Sequence, residues 1–176
     1  LYVISSQINS IETKGLIKAS ICSITDTDIY SIDDFGEALI LANSLSVSNS
    51  SIKSNGTWYT IYCVENSSLY KTKIDIENQY GGIYASNLKI EQSDIMARTF
   101  RNANAISLIE SVDIVFDDCK LDLYSYAIAT IKGVNINLTD CELNINNSRY
   151  YAILCQEKVE FNGDNIGIIT APLSTI

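Results

Sequence analysis

Val112-Asp-Ile-Val-Phe-Asp-Asp-Cys-Lys-Leu-Asp-Leu123 is the stretch that decides the fold. Its apolar residues fall at every second position, 112, 114 and 116, then shift phase and resume at 119, 121 and 123. A spacing of two belongs to a strand and not to a helix. The phase shift lands on Asp117-Asp118, so a sharp bend separates two short strands. Asp, Asn and Gly tolerate the left-handed backbone that a two-residue bend requires.

The same unit recurs along the chain. It reads Ile24-Thr-Asp-Thr-Asp-Ile29, Val47-Ser-Asn-Ser-Ser-Ile52, Leu69-Tyr-Lys-Thr-Lys-Ile74 and Ile90-Glu-Gln-Ser-Asp-Ile95. It continues as Phe116-Asp-Asp-Cys-Lys-Leu121, Leu138-Thr-Asp-Cys-Glu-Leu143 and Phe161-Asn-Gly-Asp-Asn-Ile166, with a fainter copy from Val3 to Ile8. The first residues are 21, 23, 22, 21, 26, 22 and 23 positions apart. An aliphatic residue following a mostly small one forms a second anchor: Ile17, Leu39, Ile61, Ile83, Ile106, Ile128 and Ile153. Two anchors sharing one period make this a repeat protein. A helical solenoid would need stripes of period 3.6, a β-sandwich would not keep a common register, and the Leu/Asn consensus of leucine-rich repeats is absent.

Three short strands and one tight bend per repeat make a coil of a parallel β-solenoid. The chain from Val3 to Ile168 resembles the right-handed parallel β-helix family, the pectate-lyase-like superfold, in periodicity and bend chemistry. It matches no single enzyme family of that superfold by motif. The resemblance implies an all-β right-handed parallel β-helix of about eight coils. Residues 1–176 are then one segment of a longer protein, with 166–176 as a C-terminal cap in which Pro172 discourages further pairing. The resemblance also implies a secreted or cell-surface protein.

In such a coil equivalent residues stack about 4.8 Å apart. Three inward ladders are expected: Ile24 to Phe161, Ile29 to Ile166, and the second anchors Ile17 to Ile153. A small-residue ladder follows the bend: Thr27, Ser50, Thr72, Ser93, Cys119, Cys141 and Asp164. Its hydroxyls can bond to one another and to the bent backbone. Cys119 and Cys141 occupy adjacent rungs, where stacked reduced thiols are favoured over a disulfide. Cys63 and Cys155 share a register four coils apart and cannot pair.

Composition narrows the chemistry. The chain has no His, which removes triads, a His base and His metal sites. A net charge of −9 argues against nucleic acid and anionic membrane. No apolar run reaches the roughly 18 residues of a membrane span. No cofactor and no metal site is expected. Five cysteines without a Cys-x-x-Cys pair argue against a zinc ribbon or thioredoxin motif. Five N-glycosylation sequons, at Asn49, Asn55, Asn66, Asn137 and Asn146, are expected from composition and receive no role.

Enzymes of the family act on acidic polysaccharides along the outer face of the first strand. Outward residues there are expected to be Lys18 and Ser20, Ile40 and Ala42, Tyr62 and Val64, Tyr84 and Ser86, Ser107 and Ile109, Ala129 and Ile131, and Leu154 and Gln156. This set holds no carboxylate, so neither a calcium-dependent lyase nor a hydrolase is favoured. Glu37, Glu65, Glu110 and Glu157 lie beside the face, with Glu110 in an enlarged bend. Asp33-Asp34 and Asp117-Asp118 read as bend residues.

The expected function is a non-catalytic scaffold, adhesion or partner-binding module with an apolar wall flanked by tyrosines. The expected partner on the first-strand wall is a protein or another part of the same chain, with a glycan as the alternative. The competing reading is a relative of a polysaccharide lyase or glycoside hydrolase, or a carbohydrate-binding β-helix. Candidate binding residues are Trp58, Tyr59, Tyr62, Tyr80, Tyr84, Tyr126, Tyr150 and Tyr151, with Arg98, Arg101 and Arg149. Aromatic platforms of this kind serve both sugars and protein interfaces, and also pack as ordinary corner ladders.

Overall fold

The computed structural model describes residues 1–11, 17–32, 38–56, 58–78, 81–99 and 106–172. These form seventeen strands and, among the described residues, no helix. They are β1 (Tyr2–Ile4), β2 (Gln7–Ile11), β3 (Ile17–Thr25), β4 (Asp28–Ile32), β5 (Ile40–Ser48), β6 (Ser51–Asn55), β7 (Ile61–Cys63), β8 (Asn66–Tyr70) and β9 (Lys73–Asn78). There follow β10 (Ile83–Glu91), β11 (Asp94–Thr99), β12 (Ser107–Asp117), β13 (Lys120–Ser125), β14 (Ala129–Thr139), β15 (Glu142–Asn147), β16 (Tyr151–Asn162) and β17 (Ile166–Thr170). Neighbouring strands pair in parallel throughout, for example β3 with β5 and β13 with β15. The result is a β-solenoid of about seven turns of about 22 residues.

Two sheets carry the coil. One runs β1-β3-β5-β7-β10-β12-β14-β16, with β8 completing the turn that β7 begins. The other runs from β2 to β17 through β4, β6, β9, β11, β13 and β15. The long strands of the first sheet turn a corner midway. This gives three strand segments per turn, and the third turn alone splits openly, into β7 and β8.

The bends are where the sequence places them. Ser5, Asp26, Asn49, Lys71, Gln92, Asp118 and Asp140 have φ between 48° and 51°, and Gly163 has φ +68°. The bends from Ser5 to Asp140 each donate their N–H to the next turn, as Asp26 does to Ser48 O at 3.1 Å and Asp118 to Thr139 O at 3.0 Å. The small-residue ladder satisfies the bend backbone. Thr27, Ser50, Thr72 and Ser93 donate their hydroxyls to the carbonyls two residues earlier, at 2.7–3.1 Å. Ser50 and Ser93 also accept N–H bonds from Thr27 and Thr72 of the preceding turn. Cys119 and Cys141 are free, buried thiols that donate to carbonyls in the same way, at 3.2 Å. The Cys141 thiol alongside it, together with burial, pushes the Cys119 thiol well above the usual range.

The ladder through Ile24, Val47, Leu69, Ile90, Phe116, Leu138 and Phe161 is in register rung by rung. Two other ladders need correction. Leu143 pairs with Gly167 and not with Ile166, which is exposed. One extra residue enters the last bend, so Asn165 and not Asp164 takes the small-residue place, accepting the Cys141 N–H at 3.0 Å.

The first-wall anchors are Ile17, Ile40, Ile61, Ile83, Ile109, Ile131 and Ile153. Leu39 is buried next to its rung, but Ile106 and Ile128 are exposed. Val112, expected inside, is also exposed, and Ser111 is buried beside it. A shift of one residue along a strand moves a side chain to the other face. Ile40, Ala42, Ser107, Ile109, Ala129 and Ile131, expected outside, are therefore buried.

Candidate functional site

The corrected register gives the first wall a different outer face. Its outward rung joins Lys18, Leu41, Tyr62, Tyr84, Glu110, Lys132 and Leu154. The expected apolar wall is not continuous, because Ile40, Ala42, Ile109, Ala129 and Ile131 point into the core. Glu110 is not in an enlarged bend but at the centre of this face, where a carboxylate was not expected.

Two tyrosines of this face stack directly. Tyr62 and Tyr84 lie on adjacent rungs, with ring centroids 4.7 Å apart and planes 12° from parallel. Tyr59 meets both edge-on, at 5.5 and 6.3 Å. It fits because the next turn has Gly81 beneath it: a Cβ on Gly81 would come within 2.7 Å of the Tyr59 ring. Such rings attract through their quadrupoles as well as by burial.

Beside the rings, Glu110 is fully engaged. Its Oε1 accepts from Lys132 Nζ at 2.7 Å, and its Oε2 accepts from Ser107 Oγ at 2.7 Å. Both charged side chains are about a quarter exposed. Burial, with Glu110 adding to it, pushes the Tyr59 phenol above the ordinary tyrosine range. Tyr84, Glu110, Lys132 and Gln156 line a groove of about 180 Å³. A larger cleft of about 420 Å³ lies elsewhere, where Gly167 stands opposite Leu143 in the last turn. It contains neither the rings nor the ion pair.

The other candidates gather at a different corner. Tyr124 Oη bonds Tyr126 Oη at 3.0 Å and accepts from Ser148 Oγ at 2.9 Å. The Arg149 guanidinium sits 5.1 Å from the Tyr150 ring, and Tyr150 lies 6.5 Å from Tyr151. Buried Asn147 shapes this turn, accepting the N–H groups of Arg149 and Tyr150 at 2.8 and 2.7 Å. Tyr151 shares its rung with Ala129 and not with Tyr126. Trp58 is half-exposed one residue before Tyr59. Arg98 is exposed on β11, opposite Glu77 and Tyr124. Tyr80 and Arg101, like Asp33, Asp34 and Glu37, lie outside the described residues.

The residues that sequence reading missed are Glu110 and Lys132. A signal for them exists. The corrected anchors stand seven residues before the bend ladder in five turns and eight in the other two, those of Cys63 and Cys155. In both exceptions the thiol spans the enlarged corner. Cys63 Sγ donates to Asn43 O and Asn66 O, each at 3.1 Å, and Cys155 Sγ to Val134 O and Lys158 O, each at 3.0 Å. Ser111 does the same at an ordinary corner, to Ser86 O and Asp113 O at 2.9 Å.

Comparison of the chain with protein families, with curated proteins and with solved structures finds no match in any of the three.

Proposed function

We propose that the chain is a non-catalytic β-solenoid scaffold that binds a protein partner through the Tyr59–Tyr62–Tyr84 cluster. The mutually packed rings on the outer face of the first wall carry this reading. Rings already held by one another lose little freedom on binding, and tyrosine offers large contact area with few rotatable bonds. The Glu110–Lys132 pair beside them gives the rim a fixed polar pattern. Both oxygens of the carboxylate are already bonded, which favours recognition over proton transfer. Glu65, held by Ser44, stands two turns away and belongs to a separate hydrogen-bonded group. Secretion or display at a cell surface belongs to the same proposal and rests on the resemblance to β-helix proteins.

A glycan is the second reading. It is favoured by the groove in which Tyr84 offers a ring face beside Glu110, Lys132 and Gln156. A photo-reactive phenylalanine analogue at position 62, used in the native source extract, separates the two. Protein adducts that disappear when Tyr84→Ala is added support the first reading. Retention on a panel of neutral and acidic glycans without adducts supports the second. Release of reducing ends by the chain, lost in Glu110→Gln, would sink both in favour of an enzyme.

A further inference from the structure

Tyr62 and Tyr84 are register partners on the neighbouring strands β7 and β10. Equivalent residues on consecutive parallel strands leave the backbone in the same direction, so their side chains repeat at about 4.8 Å. The two rings follow that rule, with centroids 4.7 Å apart and planes 12° from parallel, so each ring presents its face to the other. Tyr59 packs edge-on against both. Tyr62 and Tyr84 are half-buried, so neither is sealed from solvent.

Two other tyrosine pairs lack this geometry. Tyr124 and Tyr126 are T-shaped, with centroids 5.4 Å apart and planes at 77°. Tyr150 and Tyr151 are 6.5 Å apart and tilted by 31°. The difference matters for radical chemistry. The unpaired electron of an oxidised tyrosine occupies a π orbital that projects from the ring face. At Tyr62 and Tyr84 it projects onto the facing ring, and in a T-shaped pair it meets the hydrogens of a ring edge.

We infer that Tyr62 and Tyr84 are a site of oxidative coupling, which joins them as dityrosine and staples two consecutive turns. The co-reactant is two equivalents of a one-electron oxidant, the class that includes activated haem peroxidases and ruthenium(III) complexes. Each phenol gives one electron to the oxidant and one proton to water, leaving a phenoxyl radical. The unpaired electron spreads to the carbons beside the hydroxyl. A new bond then joins a Cε of Tyr62 to a Cε of Tyr84. The hydrogen on each joined carbon moves through water to the phenol oxygen, and both rings become aromatic again. The sum is one carbon–carbon bond gained and two electrons and two protons lost.

The neighbouring thiol stands apart from this reaction. Cys63 is buried on the opposite face of the strand, where its Sγ donates to Asn43 O and Asn66 O. The link also falls where the first sheet is least continuous. One turn there is split into β7 and β8, and β7 meets β10 through two register pairs, Ile61 with Ile83 and Tyr62 with Tyr84. Covalent closure of this turn restricts the unfolded chain and so stabilises the fold. It requires no particular partner on the tyrosine cluster.

The test oxidises the dilute native chain with a ruthenium complex, persulfate and visible light, and maps peptides of the monomeric product by mass spectrometry. The linked 62–84 peptide, two hydrogens lighter than its parts, is expected in roughly tenfold excess over the 124–126 product, because its rings are already aligned. Tyr62→Phe and Tyr84→Phe keep the stack and should each abolish the link, whereas Tyr59→Phe should leave it. The linked chain should unfold at a higher urea concentration than the unlinked one. Oxidation after unfolding in urea should reverse the preference, since Tyr124 and Tyr126 stay two residues apart in any conformation. A native 62–84 yield no greater than the 124–126 yield would overturn the inference. So would a 62–84 preference that survives in urea, or a linked chain with an unchanged urea midpoint.

Discussion

Phe116 and Phe161 are the same residue on the same ladder, two rungs apart, with Leu138 between them. Phe116 is fully buried and Phe161 is 42% exposed. Their strands, their faces and their distances from the bend agree. What differs is the neighbour: Phe116 has a rung on both sides, and Phe161 has a described rung on one. In a solenoid each turn contacts only the turns beside it, so burial belongs to the stack and not to the repeat.

The largest test of that comparison is truncation. Phe116→Ala should destabilise the chain by about 3–5 kcal/mol, while Phe161→Ala should cost about 1 kcal/mol or less. Urea unfolding of the two variants measures the difference, and equal losses would break the comparison. Next is the bend. Gln92→Val places a β-branched residue at φ 48° and should cost about 1–2 kcal/mol. Gln92→Gly should be near neutral, since relief of the left-handed backbone offsets the added chain entropy.

A smaller effect separates two serines on opposite sides of the first corner. Ser67 Oγ is buried between Leu45 and Leu88 of the adjoining turns and, among the described residues, has no partner. Ser67→Ala should stabilise by about 1 kcal/mol, because it removes a polar atom that lost its water and gained nothing. Ser111→Ala should destabilise by a similar amount, since Ser111 serves two carbonyls. Thermal melts of both variants check the signs.

The smallest effect is on pH dependence. The Tyr59 phenol is held above its ordinary pKa by burial and then by Glu110. The folded state therefore keeps this proton more firmly than the unfolded chain does. The stabilisation is complete below the ordinary tyrosine pKa and is lost as pH rises through the raised value. Glu110→Gln should lower the alkaline midpoint of Tyr59, followed by the ring Cζ chemical shift of Tyr59, assigned with Tyr59→Phe, in a carbon-13 tyrosine-labelled variant with Tyr62 and Tyr84 changed to Phe. An unchanged midpoint would leave burial as the sole cause.

The structure shows which sequence signals were local and which were not. Asp26, Asn49, Lys71, Gln92, Asp118 and Asp140 were readable as bends because a phase shift in alternation is visible within six residues. The bend ladder followed at once. The first wall was harder. Its small–aliphatic motif matched Ile106 and Ile128, yet Ile109 and Ile131 fill the core. The 26-residue step reads as an enlarged bend at Glu110. Counting back seven residues from Phe116 reaches Ile109, so the added length precedes that anchor. The binding candidates suffered accordingly. Tyr62 and Tyr84 stand on the outer face as expected, whereas Tyr151 lies level with Ala129 and apart from Tyr126.

The sequence by itself determined the period, the bend residues, the ladder from Ile24 to Phe161, and the small residues that satisfy the bent backbone. These follow from spacing and from the few residue types that accept left-handed φ or bond their own main chain. Tertiary structure alone decided which side of the first wall each residue takes, because one inserted residue at a corner reverses inside and outside. It also decided that Glu110 and Lys132 meet, since residues 22 positions apart become neighbours only when consecutive turns stack in register.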